Sequence, residues 1–145
     1  MRLWHQKLIP YLPDCKTSGN RKKNQLPGLH RELCALRGLG WKKKHSTIDY
    51  IKNYSFAKLV QYHFLVIDEL EKRGYKIDEK WNRPNYRGKQ IGYDDNLTNT
   101  EFFDEILNES LKIPSGKMIY PEHNDEYLKE CIKNLKNKGV EIDYV

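Results

Sequence analysis

SFAKLVQYHFLVIDELEKRG, residues 55–74, is the stretch on which the fold turns. Phe56, Leu59, Val60, His63, Ile67 and Leu70 recur at the i, i+3, i+4, i+7 spacing of an amphipathic helix, and Gly74 stands where a C-terminal cap belongs. The spacing predicts one long helix at the centre of the core. His63 falls inside its apolar stripe, which reads as a satisfied core histidine rather than a catalytic one.

Upstream, Leu29, Leu33 and Leu36 repeat at helical spacing and Gly38 and Gly40 end the run, so a short helix is expected over about residues 28–37. Basic loops flank it: KTSGNRKKNQ at 16–25 and WKKKH at 41–45. Ser46 or Thr47 can cap a brief helix through Tyr54. Downstream, residues 78–99 carry Pro84, Gly88 and Gly92 and read as a loop-rich connection that Trp81 anchors on the core. Thr100 can cap a helix to about Lys112, with Phe102, Phe103, Ile106, Leu107 and Leu111 inward and Pro114 after it. Asn124 or Asp125 can cap a last helix to Lys138, with Leu128, Cys131, Ile132 and Leu135 inward and Gly139 beyond. On another face of that helix Lys129, Lys133 and Lys136 align. The row could track a phosphate backbone or be an ordinary solvated face. No run keeps the period-two alternation of a strand, although residues 140–145 could form a short extended tail. The expected fold is all-α: one compact domain over residues 1–145, a bundle of about three main helices with long loops.

Charge narrows the function. Residues 1–93 hold 20 Lys and Arg against 8 Asp and Glu, and residues 94–145 hold 6 against 12. A net of +12 against −6 points the N-terminal part towards a polyanion, and nucleic acid is the commonest one. No run reaches the length of a membrane span, and the first 13 residues are too polar for a secretory signal. Cys15, Cys34 and Cys131 are odd in number and widely spaced. They suggest reduced thiols and form no zinc set with the five histidines. Phosphate-loop, dinucleotide-binding, GxSxG and HExxH patterns are absent, so neither a cofactor nor a metal is expected.

Two features could carry chemistry. Glu32 is one of only two acids between Arg2 and Lys44. A carboxylate on a phosphate-binding surface weakens binding, so it needs a compensating role, either as an ion-pair partner of Arg31 or Arg37 or as an acid/base group. The second feature is the α-amine. Arg2 follows Met1, so Met1 is expected to be retained. An α-amine titrates near about 7.7–8.0, so roughly a tenth is free base at pH 7. Nearby Arg2 would lower that value further. Such an amine is suited to imine chemistry at a sugar carbon.

These residues resemble the phage-type pyrimidine-dimer DNA glycosylases, the phage endonuclease V family, and in particular its bacterial branch. Met1-Arg2-Leu3 is similar to the family's N-terminal nucleophile, arginine and aliphatic residue. His30-Arg31-Glu32-Leu33 resembles its aromatic-Arg-Glu-Leu helix, and Leu70 to Tyr75 resembles its core-helix ending. Tyr120-Pro121 is a weaker match. MRLWH, HRELCALRGLGWKKKHST and Tyr86 to Lys89 resemble the bacterial branch. The likeness covers most of residues 1–77.

The resemblance implies a DNA glycosylase with AP lyase activity. The Met1 amine would attack the anomeric carbon of a damaged nucleotide and form a Schiff base, and β-elimination would follow. Glu32 would be the acid/base group. Arg2 and Arg31 would hold phosphates, with Lys133 and Lys136 matching a basic C-terminal helix. Ala35 stands where the family often has a further Arg, and Arg37 is the nearest substitute. Lys43, in the second basic loop, completes the expected phosphate contacts. The partner would be damaged double-stranded DNA, and the protein an intracellular, nucleoid-associated monomer. The alternative is a non-catalytic nucleic-acid-binding protein of the same fold, and a nuclease with unrecognised metal ligands is a weaker third reading.

Overall fold

A computed structural model describes residues 2–18, 23–44, 47–94, 118–142 and 144. Among them the chain is all-α. Its helices are α1 (Cys15–Ser18), α2 (Gln25–Arg37), α3 (Phe56–Lys72) and α4 (Asp125–Asn137). Short 3-10 segments lie at Gln6–Tyr11, Leu39–Lys42, Asp49–Asn53 and Glu79–Asn82. The extended pairing among the described residues is a single antiparallel bridge, Tyr86 to Tyr93. The helix expected after Thr100 lies outside the described residues. No described helix is long and apolar enough to cross a membrane.

The central helix is α3. The Ser55 hydroxyl caps its first turn by accepting from the Ala57 amide at 3.1 Å. Gly74, at φ +90°, closes it in the left-handed conformation while the Tyr75 amide donates back to the Leu70 carbonyl. Its buried stripe is wider than the expected one and also includes Ala57, Gln61, Tyr62 and Val66. The extra width arises because the N-terminal segment and α2 both pack against it.

Helix α2 starts three residues earlier than Gly28. Pro27 falls in its first turn, where a missing N–H costs nothing, so the helix runs through it. The leucines of α2 lie in the same core cluster as Leu3, Leu8 and Leu12 of the N-terminal segment and Leu128, Cys131 and Leu135 of α4. The chain then doubles back so tightly that a Cβ on Gly40 would sit 2.7 Å from the Ala35 carbonyl oxygen. Gly40→Ala is therefore expected to lower stability by about 1–3 kcal/mol, since backbone must move to make room. An unchanged chemical-denaturation midpoint would contradict this.

The expected exposed loop at 16–25 differs in two respects. Cys15–Ser18 forms one helical turn begun by Asp14, whose carboxylate accepts from the Thr17 amide and hydroxyl, both at 2.8 Å. Gln25 already belongs to α2. The brief helix expected before Tyr54 is the 3-10 segment Asp49–Asn53, whose N-cap Ile48 has no side-chain capping bond. At the C-terminal end, the Asn124 side chain caps α4 by accepting from the Tyr127 amide at 2.9 Å, and Gly139 closes it at φ +81°.

Arg37 requires a correction. It is expected at phosphates, yet it is wholly buried. Nη1 donates to the Trp81 carbonyl at 2.9 Å, and Nη2 donates to the carbonyls of Arg83 and Tyr86 at 2.7 and 3.0 Å. The guanidinium also lies 5.1 Å from the Trp81 ring centre. Its two terminal nitrogens fasten the segment that holds Trp81, Arg83 and Tyr86 to the core, which is the anchoring expected of Trp81 alone.

Candidate active site

Helix α2 presents two edges beside its leucine stripe. Five residues separate Glu32 from Arg37, a rotation of about 140° at 100° per residue, so they flank the stripe on opposite sides. On the Glu32 edge lies a cavity of about 300 Å³ lined by Arg2, Trp4, Gln25, Gly28, Leu29, Glu32, Thr47, Asn134 and Lys138. The extended start of the chain supplies Arg2 and Trp4. Helix α4 supplies Asn134, and Lys138 lies just past its end.

Glu32 is half-buried in this wall. Burial pushes its carboxyl above the usual range, and the positive charges of the N-terminus, Lys138 and Arg31 oppose that shift in part. Among the described residues it forms no ion pair. Arg37 is turned into the core and Arg31 faces solvent. The ion-pair role open for Glu32 in the sequence therefore has no described partner. Arg2 pairs with Glu130 at 3.3 Å and lies 5.8 Å from the Tyr127 ring centre. The Lys138 ammonium stands 5.2 Å from the ring centre of Trp4. Two cations and a half-buried carboxyl thus share one polar concavity, suited to an anionic ligand that needs a proton moved.

Of the residues expected at the site, Glu32 and Arg2 meet in this cavity. Met1 lies outside the described residues. Arg31 is exposed beside Glu32 without lining the cavity. Lys43 lines a different cavity, of about 370 Å³, together with Arg87 and Lys89. Lys133 is exposed on α4, and Lys136 lines a third cavity beside Ile132 and Val140. Trp4, Gln25, Thr47, Asn134 and Lys138 were not anticipated. For two of them a signal exists: Asn134 and Lys138 flank the Leu128, Cys131, Leu135 stripe at i, i+4 spacing, whereas Lys129, Lys133 and Lys136 lie opposite it.

On the other edge of α2, His30 and Cys34 meet His63 of α3, with ligand atoms within 4.8 Å of one another. The sequence suggested no such set, because His63 is 29 residues from Cys34 and comes near only by helix packing. The polarity nonetheless disfavours a cation. Arg37 Nη1 lies 3.1 Å from His63 Nδ1 and can only donate, so the His63 proton is on Nε2, directed at His30 Nδ1 at 2.8 Å. A metal would have to displace that proton and sit beside a buried guanidinium. Burial also holds both histidines in the neutral form and pushes the Cys34 thiol up to about 12. The cluster is a hydrogen-bonded brace between α2 and α3.

Among the described residues the chain is helical, and its cavity sets two cations around one carboxyl. Comparison with protein families is more specific. Residues 1–83 match the family described as pyrimidine dimer DNA glycosylase, and the chain belongs to that family. The family is one of DNA-repair glycosylases, so DNA is the substrate class. Comparison with curated proteins and with solved structures gave no match.

Proposed function

We propose that the protein excises pyrimidine dimers from duplex DNA and cleaves the strand through a Schiff base on its own α-amine. The observation that supports this most is the shared cavity, in which the residue next to the N-terminus and the half-buried Glu32 face one space. In this reading the free amine attacks C1′ of the 5′ nucleotide of the dimer. A C–N bond forms, the glycosidic C–N bond breaks, and its electron pair leaves with the base, which takes up a proton. Loss of the amine proton and opening of the sugar ring give a protonated imine. Removal of a C2′ proton then expels the 3′ phosphate oxygen by β-elimination. Glu32, whose carboxyl burial shifts above the usual range, supplies and receives protons at the sugar. Arg2 and Lys138 hold flanking phosphates, Arg31 and Lys43 contact DNA from the rim, and Lys133 and Lys136 reach the backbone further away. Lesion opening from the stack is easier at a damaged pair.

The test is borohydride trapping on two duplexes, one with a thymine dimer and one with an abasic site, using native and N-terminally acetylated protein. Adducts on both duplexes that vanish on acetylation are expected. An adduct on the abasic duplex alone would move the substrate away from dimers. Absence of any adduct would leave a DNA-binding role.

The Arg2–Glu130 pair gives a second test. Glu130 competes with phosphate for Arg2, and Glu130→Gln should tighten binding to undamaged duplex by about two- to fivefold, the scale of an exposed ion pair. Weaker or unchanged binding in a filter-binding titration at low salt would remove Arg2 from the phosphate contacts.

A further inference from the structure

We infer that Gly28 is the clearance position of the cavity, the point at which the sugar-phosphate backbone of the damaged strand lies directly against α2; the inference rests on the reading of that cavity as the place where the damaged strand sits.

On grounds of folding alone, glycine is a poor choice here. Gly28 is the fourth residue of α2, and a glycine inside a helix weakens it relative to alanine. The other glycines among the described residues each have a local reason. Gly74, Gly88, Gly92 and Gly139 take positive φ. Gly38 and Gly40 pass so close to backbone that a Cβ would stand 3.0 Å from the Arg87 carbonyl oxygen and 2.7 Å from that of Ala35. Gly28 has neither reason. Its φ is not positive. Outside its own helix backbone and chain neighbours, the one described atom within 4 Å of an added Cβ is Arg31 Nη2, at 3.8 Å. That is ordinary van der Waals contact with the tip of a flexible side chain. The fold has room for a side chain at this position, and the sequence supplies none.

Placement shows what the room serves. Gly28 lines the same cavity as Glu32, one turn earlier on α2. At about 100° per residue, it falls about 40° from Glu32 and about 60° from Arg31 around the helix, between the two. Helical side chains lean towards the N-terminus, so those of Glu32 and Arg31 both lean over the turn that holds Gly28. The approach of Arg31 Nη2 is that lean observed. Gly28 is half-buried, so bare backbone forms this part of the cavity wall. A nucleotide that offers its sugar to Glu32 and its phosphate to Arg31 must cross Gly28. Main chain without a Cβ lets a ligand come closer than any side chain would. A side chain there would hold the sugar away from Glu32, and a displacement of about 1 Å can cost a reaction about a hundredfold.

The test uses Gly28→Ala and Gly28→Met, both unbranched and both stronger helix formers than glycine. Urea midpoints are measured together with dissociation constants for two duplexes, one undamaged and one carrying a tetrahydrofuran abasic analogue, which cannot form an imine. The single-turnover rate is measured on a true abasic duplex. Both variants are expected to unfold at higher urea than native protein. Affinity for the analogue duplex should fall by about three- to tenfold in Gly28→Ala and by about ten- to hundredfold in Gly28→Met. Affinity for undamaged duplex, whose bases stay stacked outside the cavity, should stay within about twofold. The abasic rate should fall in the same order, by about a hundredfold in Gly28→Met. Higher stability with poorer lesion recognition is a result that a glycine kept for folding cannot give. A Gly28→Met that binds and reacts as native protein does would overturn the inference while leaving the site intact. Equal losses on both duplexes, or losses that accompany a lower urea midpoint, would overturn it in the same way. Native protein that binds the two duplexes equally would remove the reading of the cavity, and this inference with it.

Discussion

Glu32→Gln is expected to lower the single-turnover rate on abasic duplex by about 10²- to 10⁴-fold, the usual share of a positioned acid/base group. The substitution keeps the shape of the side chain and removes its proton chemistry. Glu32 lines the cavity beside Arg2, and no described cation pairs with it, so the fold should not depend on its charge. DNA affinity should hold or rise, because a carboxyl near phosphates repels them. The native pH profile should place the acid/base limb of Glu32 above the ordinary carboxyl range, in the direction that burial shifts it, and the variant should lose that limb. A rate within threefold of native would assign the proton transfers to water or another group.

The largest effect on stability is expected at Arg73. Arg73→Met should destabilise the fold by about 3–5 kcal/mol, the usual result of removing one partner of a buried ion pair. Asp14 is wholly buried and pairs with Arg73 at 2.8 Å. The same guanidinium donates to the carbonyls of Leu12 and Pro10 and to Glu69. Tyr75 donates to Asp14 at 3.0 Å. The chain's first turns are thereby tied to the end of α3. Burial alone would raise the Asp14 carboxyl, but bonds from Thr17, Arg73 and Tyr75 outweigh it and hold it at about 2. Because the folded value lies below the ordinary one, this stabilisation is present above about pH 4 and is lost as pH falls towards 2. Urea midpoints at pH 7 and pH 3 should therefore converge between native protein and Asp14→Asn as acidity rises. Parallel curves would show that Asp14 does not titrate in this range.

The three main helices described were legible because their apolar stripes and terminal glycines agree: Gly38 ends α2, Gly74 closes α3, and Asn124 and Gly139 bound α4. The Lys-Arg-Gly-aromatic ending was legible as a signature but not as a mechanism, since Asp14 lies about 60 residues away. Glu32 stood out through the scarcity of acids around it. Arg37 was misread because composition gives charge without direction, and a guanidinium that satisfies three carbonyls looks the same in sequence as one that meets phosphate. Lys138 was not singled out as a cavity-lining residue because a lysine row catches the eye, whereas the rotation of α4 is set by Leu128, Cys131 and Leu135. The bonds of His123 were invisible, since the Gln6 amide and the Tyr50 hydroxyl lie 117 and 73 residues from it and none of the three carries a motif.

Trp4, in the cavity wall with a lysine ammonium over its ring, makes the protein its own optical probe. A phosphate that draws Lys138 away would change the electric field across that indole, and with it the colour and yield of its fluorescence. Trp41 packs against Phe56 and Trp81 against Arg37, both away from the cavity, so their emission provides a steady background. Substituting those two with Phe would leave a single emitter, through which the filling and emptying of the cavity could be followed on the millisecond scale without any attached dye.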